Sequence, residues 1–197
     1  MSEELSCSFT HSHTDAKHFD ELREKLVKYE EISDRIEYEI AAFLNGVSAG
    51  DISEATSMKI KAMYKIIGEL ESLGDSGEAI SRMLSRRNEH KKTFSAETID
   101  NINLMLEKVD NAYEVMIANL TAAHEGTLSS IANAYNAEEQ INTLRNELRE
   151  AEIEALEDND KNYQTSVYYI DIINELEHMG DYMINISQSL ERAFVEE

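Results

Sequence analysis

Apolar positions along the chain recur in steps of three and four through five long segments, the spacing that lines one face of an α-helix. The first segment, about residues 15–47, has the seam Leu22, Leu26, Tyr29, Ser33, Ile36, Ile40, Phe43 and Val47, and Gly46, Ser48 and Gly50 supply its stop. The second, about 53–92, carries Ile66, Leu70, Leu73, Gly77, Ile80 and Leu84. The third, about 96–124, carries Ile99, Ile102, Leu106, Val109, Tyr113, Met116, Leu120 and Ala123, with Ser95 and Thr98 at its start and Gly126 at its break. The fourth, about 127–156, carries Ile131, Ala134, Ile141, Leu144, Leu148 and Ala155. A polar turn, Glu157-Asp158-Asn159-Asp160, leads into a fifth helix over about 162–194. The expected fold class is all-α, with five long helices in tandem antiparallel bundles, because short loops return each helix beside its predecessor. Residues 1–14 are polar and unperiodic and read as a tail or linker.

Composition supports long helices. Proline is absent and glycine is scarce, at 7 of 197 residues, so little interrupts the backbone ladder. Apolar residues make up 42%, enough for a core in one domain or in two small units sharing one. The net charge of −22 repels phosphate backbones and anionic head groups, which argues against nucleic acid and favours cations and basic proteins. The same charge also serves as a solubility surface. Cys7 is the one cysteine, which excludes a disulfide framework within the chain and fits a reducing compartment. No apolar run approaches the ~20 residues of a membrane span, and no signal-like segment is present, so a cytoplasmic location is expected. His11 and His13 form a His-x-His pair in the tail, where a flexible segment is a better reading than a metal site. The basic end of the second helix (Arg82, Arg86, Arg87, Lys91, Lys92) complements a negative helix terminus, with an anion contact as the lesser reading.

The two halves repeat. Residues 66–84, IIGELESLGDSGEAISRML, match residues 172–190, IINELEHMGDYMINISQSL, at 10 of 19 positions and an offset of 106. More faintly, Glu30, Glu31, Asp34 and Glu39 stand against Glu138, Glu139, Asn142 and Glu147 at an offset of 108. The first repeat is assigned to residues 15–93 with two helices, and the second to 94–197 with three. The first bundle thus lacks the leading helix that residues 96–124 give the second.

Residues four apart on a helix share a face. The stripe Val27, Glu30, Asp34, Glu37, Ala41, Leu44 sets acids between apolar ends, and so does Tyr64, Ile67, Glu71, Asp75, Glu78. In the second half Glu177 and Asp181 interrupt Ile170, Ile173 and Ile184, and Glu138 stands on the preceding helix. Carboxylates on the shoulder of a core lose hydration and repel one another, so a cation, a basic partner or a neighbouring Arg or Lys should offset them. A carboxylate set without thiols suits hard or borderline ions: Fe, Mn, Mg or Zn. The expected metal residues are Glu30, Asp34, Glu37, Glu71, Asp75, Glu78, Glu138, Glu177 and Asp181. Asn142 and Arg145 stand where Asp34 and Glu37 do, so the first-half site is expected to be the better one, with Arg145 free to neutralise Glu177 or Asp181. Gly74 and Gly180, each just before an Asp, would let a facing helix come close.

At these residues the sequence resembles the PhoU family of phosphate-uptake regulators. The resemblance spans about residues 15–194. It implies three-helix repeats with Glu/Asp-xxx-Asp motifs, here Glu30-xxx-Asp34, Glu71-xxx-Asp75 and Glu177-xxx-Asp181, with Glu138-xxx-Asn142 degenerate. In KYEEISDRIEYEI and YYIDIINELEHMGDY it is most similar to the PhoU-like C-terminal domain of bacterial sodium/phosphate cotransporters. That resemblance implies regulation of phosphate transport from the cytoplasmic side, metal clusters on the motifs, and a membrane transport domain as partner within a parent protein of the cell membrane. It also implies that the missing leading helix lies just upstream. A fragment left with two helices is expected to self-associate, most simply as a homodimer.

Enzyme readings fare poorly. A carboxylate-bridged dimetal oxidase wants two Glu-x-x-His motifs, and the core helices offer one, Glu175-x-x-His178. No triad, phosphate loop or nucleophile elbow appears. The alternative from another class is a structural adaptor bundle that mediates protein contacts without metal.

Overall fold

The structure, a computed structural model, describes residues 16–157 and 162–195, with side chains from residue 20 onward. The tail at 1–14, Cys7 and the His11–His13 pair lie outside the described residues. Within them the chain is five helices without a strand: α1 (Ala16–Ser48), α2 (Glu54–Glu89), α3 (Ala96–Glu125), α4 (Ala132–Glu157) and α5 (Tyr163–Phe194). Among the described residues no helix is long and apolar enough to cross a membrane.

Local chemistry sets the helix ends. Ser53, Ser95 and Asn162 each accept a hydrogen bond from the amide three residues on (Thr56, Thr98 and Thr165), filling donors that the first helical turn leaves open. Gly126 closes α3 in the left-handed region at φ 69°, where a side chain would be strained. The amides of Thr127 and Leu128 then bond the Ala122 carbonyl. That turn spends the residues assigned to the start of the fourth helix, so α4 begins at Ala132 rather than near 127. Ile131 still seals the core, fully buried from just outside the helix.

α5 is the centre of the molecule. It packs against α2, α3 and α4, while α2 packs against α1 and α5. Paired contacts show that α2 and α5 run antiparallel: Ser76 Oγ donates to Glu175 Oε1 (2.6 Å) and Asn185 Nδ2 donates to Glu69 Oε2 (3.2 Å). The principal core gathers Leu73, Ile80 and Leu84 of α2 with Ile102, Leu106 and Met116 of α3, Ile141 of α4, and Ile172, Leu176 and Ile186 of α5. The second half is a three-helix bundle of α3, α4 and α5. The first half is a pair, because among the described residues α1 touches α2 alone.

The expected seam of α1 needs correction. Leu22 and Leu26 are buried, but Tyr29, Ile36, Phe43 and Val47 are exposed. The face turned to α2 instead runs through Leu26, Glu30, Ser33, Glu37, Ala41 and Leu44. Two apolar stripes compete on α1, and α2 takes the one that carries the acids. Tyr113 is also exposed, its place in α3 taken by the buried Ala112. At the basic end of α2, Arg87 is 1% exposed and lies over the Phe94 ring, 4.4 Å from its centroid. Burial lowers its pKa to about 10, so it belongs to the core rather than to a solvated cap.

The two halves cross in the same way. A Cβ on Gly74 would lie 2.5 Å from Ser33 Oγ, and one on Gly180 would lie 2.9 Å from Ile141 Cδ1. Gly74 and Gly180 are repeat equivalents at offset 106, as are Ser33 and Ile141 at offset 108. Each helix pair therefore closes on the same glycine.

Candidate metal centre

Six of the expected residues line the α1–α2 contact. The antiparallel crossing, fixed by Gly74 against Ser33 and by Tyr64 Oη donating to Asn45 Oδ1 (2.7 Å), sets the acids of α1 opposite those of α2. Glu30, Asp34 and Asp75 come together: one carboxylate oxygen from each lies within 4.8 Å of the others. Glu30 is half-buried, and Asp34 and Asp75 are exposed. Glu71 sits beside Asp75, Asp34 and Glu37, and Glu78 lies near Glu30. Glu78 also pairs with Arg82, which among the described residues is the one basic partner of these six carboxylates.

Electrostatics follow from that crowding. The Glu30 carboxyl is pushed above the ordinary range, first by partial loss of water and then by Asp34, Glu78, Asp75 and Glu31. Glu71 is raised for the same first reason and then by Asp75, Asp34 and Glu37, opposed by the Ser72 hydroxyl at 3.4 Å. The donor set is all oxygen and open to solvent on one side. It fits a hard or borderline cation that keeps part of its water shell.

The equivalent place on α4 and α5 is built differently. Arg145 Nη2 donates to Glu177 Oε1 at 2.6 Å, and Asn142 Nδ2 donates to Glu138 Oε1. Glu177 is buried, and the His178 ring stands 3.8 Å from its other oxygen. Ile184 occupies the position of Glu78. Glu138 and Asp181 are both raised, chiefly by burial; the Asn142 amide opposes the first, and His178 and Arg145 oppose the second. Glu138, Glu177 and Asp181 thus do not gather into a metal-sized group among the described residues. Arg145 fills the role that a cation would have.

Two acids outside the expected set also have defined partners. Glu69 and Glu175, the first Glu of each E-L-E, accept the hydrogen bonds that tie α2 to α5. Their signal was in the repeat itself, since they match at offset 106.

A tandem helix bundle with doubled Glu-x-x-x-Asp motifs at its helix crossings is the class of protein that these features define. Residues 102–190 match the family model described as the PhoU domain. Two solved structures share the fold across the chain. The phosphate transport system regulatory protein PhoU from Streptococcus pneumoniae superposes with a TM-score of 0.72 at 17% identity, covering 100% of this chain and 90% of that one. PhoU from Pseudomonas aeruginosa does so at 0.66 and 14% identity, covering 98% and 87%. At these identities the likeness is one of fold. Curated protein sequences gave no match.

Proposed function

We propose that this chain is a non-catalytic regulatory domain of a phosphate transport system, acting from the cytoplasmic face as the PhoU-like domain of a sodium-dependent phosphate cotransporter. A metal cation bound by Glu30, Asp34 and Asp75, with Glu71, Glu37 and Glu78 along the same crossing, is its regulatory ligand. The observation that carries this reading is the acid line on the α1–α2 crossing, which keeps all six carboxylates in a fold otherwise like that of the PhoU regulators. The cation would remove the repulsion that helps to raise Glu30 and Glu71 and would join α1 to α2. Occupancy would then set how firmly α1 is held, a change that a membrane partner can read.

Two measurements test it. Metal analysis of protein purified without chelator, and Tm with added Fe(III), Mn, Zn or Mg, should show a bound ion and a gain. A ligand at about a hundredfold its Kd adds ~2.7 kcal/mol. The E30Q/D34N/D75N variant should lose that gain, and no shift with any of these ions would overturn the cation. Separately, phosphate uptake in cells whose parent protein carries D34N/D75N should depart from the native response to phosphate. Unchanged uptake, with the protein present, would overturn the transport role.

A further inference from the structure

The end of the second bundle, where α3 and α5 begin and α4 finishes, holds a cavity of about 550 Å³. Its floor is polar: Thr98, Glu152, Ser166 and Tyr169 line it, and each is 5% exposed or less. Ser166 Oγ donates to a Glu152 carboxylate oxygen, and the Thr98 and Ser95 hydroxyls bond each other at 2.9 Å. The Tyr169 hydroxyl is buried without a hydrogen bond. Burial pushes its pKa up to about 12; the Asn101 side chain, near it but outside hydrogen-bond geometry, opposes the rise, and Glu152 and Glu97 add to it. Asn101, Glu152 and Glu97 all line the cavity, so the hydroxyl stands at the cavity too. An unbonded buried hydroxyl is a cost that folds seldom leave standing. Nor does the helix crossing require this polarity. At the repeat-equivalent positions of the first half, Leu44, Ile60 and Met63 stand in place of Glu152, Ser166 and Tyr169. Leu44 and Ile60 are buried there in an apolar cluster with Ile67. Hydrocarbon closes that end of the α1–α2 pair, whereas a carboxylate and hydroxyls line the same end of α4 and α5.

We propose that this cavity binds a small organic ammonium ion, its charged head held between the Glu152 carboxylate and the Tyr169 hydroxyl. The sign of the ligand follows from the lining. Glu97 and Glu152 are the charged side chains that line the cavity among the described residues, and the net charge of −22 draws cations and repels anions. A carboxylate accepts several hydrogen bonds, so Glu152 can hold the Ser166 hydroxyl and an ammonium N–H together. The neutral Tyr169 hydroxyl accepts a second N–H. An organic ion is favoured over a metal, because the one metal-sized group of acids among the described residues is that of Glu30, Asp34 and Asp75. Leu148, Ala151 and Ala155 supply a wall on which a short carbon chain can lie, and the volume is that of a small-molecule site. Glu97 is exposed at the start of α3, where it can meet the second amine of a diamine.

Calorimetry and amide NMR of the full chain with 1,4-diaminobutane, in salt that screens the surface charge, test the site. Saturable binding is expected, with the shifts centred on Thr98, Ser166 and Tyr169. Y169F should weaken it about fivefold and E152Q at least roughly tenfold, as loss of a neutral and of a charged hydrogen-bond partner respectively. Without amine, Y169F should melt no lower than the native chain, because it removes an unbonded buried group. E30Q/D34N/D75N should bind the diamine as the native chain does, which separates this site from the proposed cation site. Butane-1,4-diol, of the same length without the charge, should bind far more weakly. If E152Q fails to fold, Y169F and the diol still decide. No saturable binding, an affinity indifferent to Y169F, shifts centred on the acids of α1 and α2, equal binding of the diol, or a lower Tm for amine-free Y169F would each overturn the proposal.

Discussion

The two helix crossings share one backbone plan and opposite electrostatics. On α1 and α2 the plan carries Glu30, Asp34, Glu37, Glu71, Asp75 and Glu78. On α4 and α5 the equivalent positions are Glu138, Asn142, Arg145, Glu177, Asp181 and Ile184. Three substitutions, Asn for Asp, Arg for Glu and Ile for Glu, turn a line of repelling acids into an internally satisfied contact. The difference teaches that the acids are not needed to build the crossing. The second crossing closes with three of the six, so the other three in the first meet a need other than closure.

The largest effect that would sharpen this contrast comes from removing Arg145. Its loss leaves Glu177 buried without its cation, and the half-open setting reduces the usual penalty for a broken buried pair to roughly 2–3 kcal/mol. R145A should therefore melt about 5–10 °C lower. E37R, which transplants that arginine into the first crossing, should raise Tm instead. Thermal melts of both variants without metal decide it, and equal shifts would mean that the two crossings are not equivalent.

The glycines come next. G180A drives a methyl into the fully buried Ile141, an overpacking penalty of about 1–3 kcal/mol set against ~1 kcal/mol gained from replacing a helical glycine. G74A meets the Ser33 hydroxyl, so S33A/G74A should recover what G74A loses. Urea unfolding of the single and double variants reads this out. A third expectation has the opposite sign: without metal, E30Q/D34N/D75N should be more stable than the native chain by roughly 2–4 °C, since removing crowded like charges stabilises. A lower Tm would mean that the acids already hold partners in the free protein.

The smallest effect is on pH. Glu30 and Glu71 have raised pKa values in the folded chain, so it binds protons more readily than the unfolded chain. Their contribution opposes folding above the raised values and is relieved as pH falls through them toward the ordinary glutamate value of 4.5. The metal-free Tm should climb slightly from neutral pH toward the carboxylate range, and E30Q/E71Q should flatten that slope.

Much of this was legible in the sequence. Five helices followed from periodicity and the absence of proline, and Gly126 and Ser95 marked ends that the structure caps at the same residues. That Arg145 would neutralise Glu177 or Asp181 could be read from the repeat offset, but not that it meets Glu177. The orientation of α1 could not. Its Tyr29–Val47 stripe is as regular as a core seam, and periodicity does not say which of two adjacent stripes meets the neighbour. The late start of α4 depended on carbonyl bonding after Gly126, and the burial of Arg87 depended on its contact with the Phe94 ring; neither has a pattern in the sequence.

That α1, among the described residues, rests on one neighbour has a consequence for how the molecule opens. Helices held on several sides exchange their amide protons mainly through global unfolding, whereas a helix held on one side has its own opening reaction. In the isolated monomer, the amides of α1 should exchange with deuterium at a lower opening free energy than those of α5, which is enclosed by three helices. The chain then has two stability levels, a firm unit of α2 to α5 and an arm that lifts away on its own.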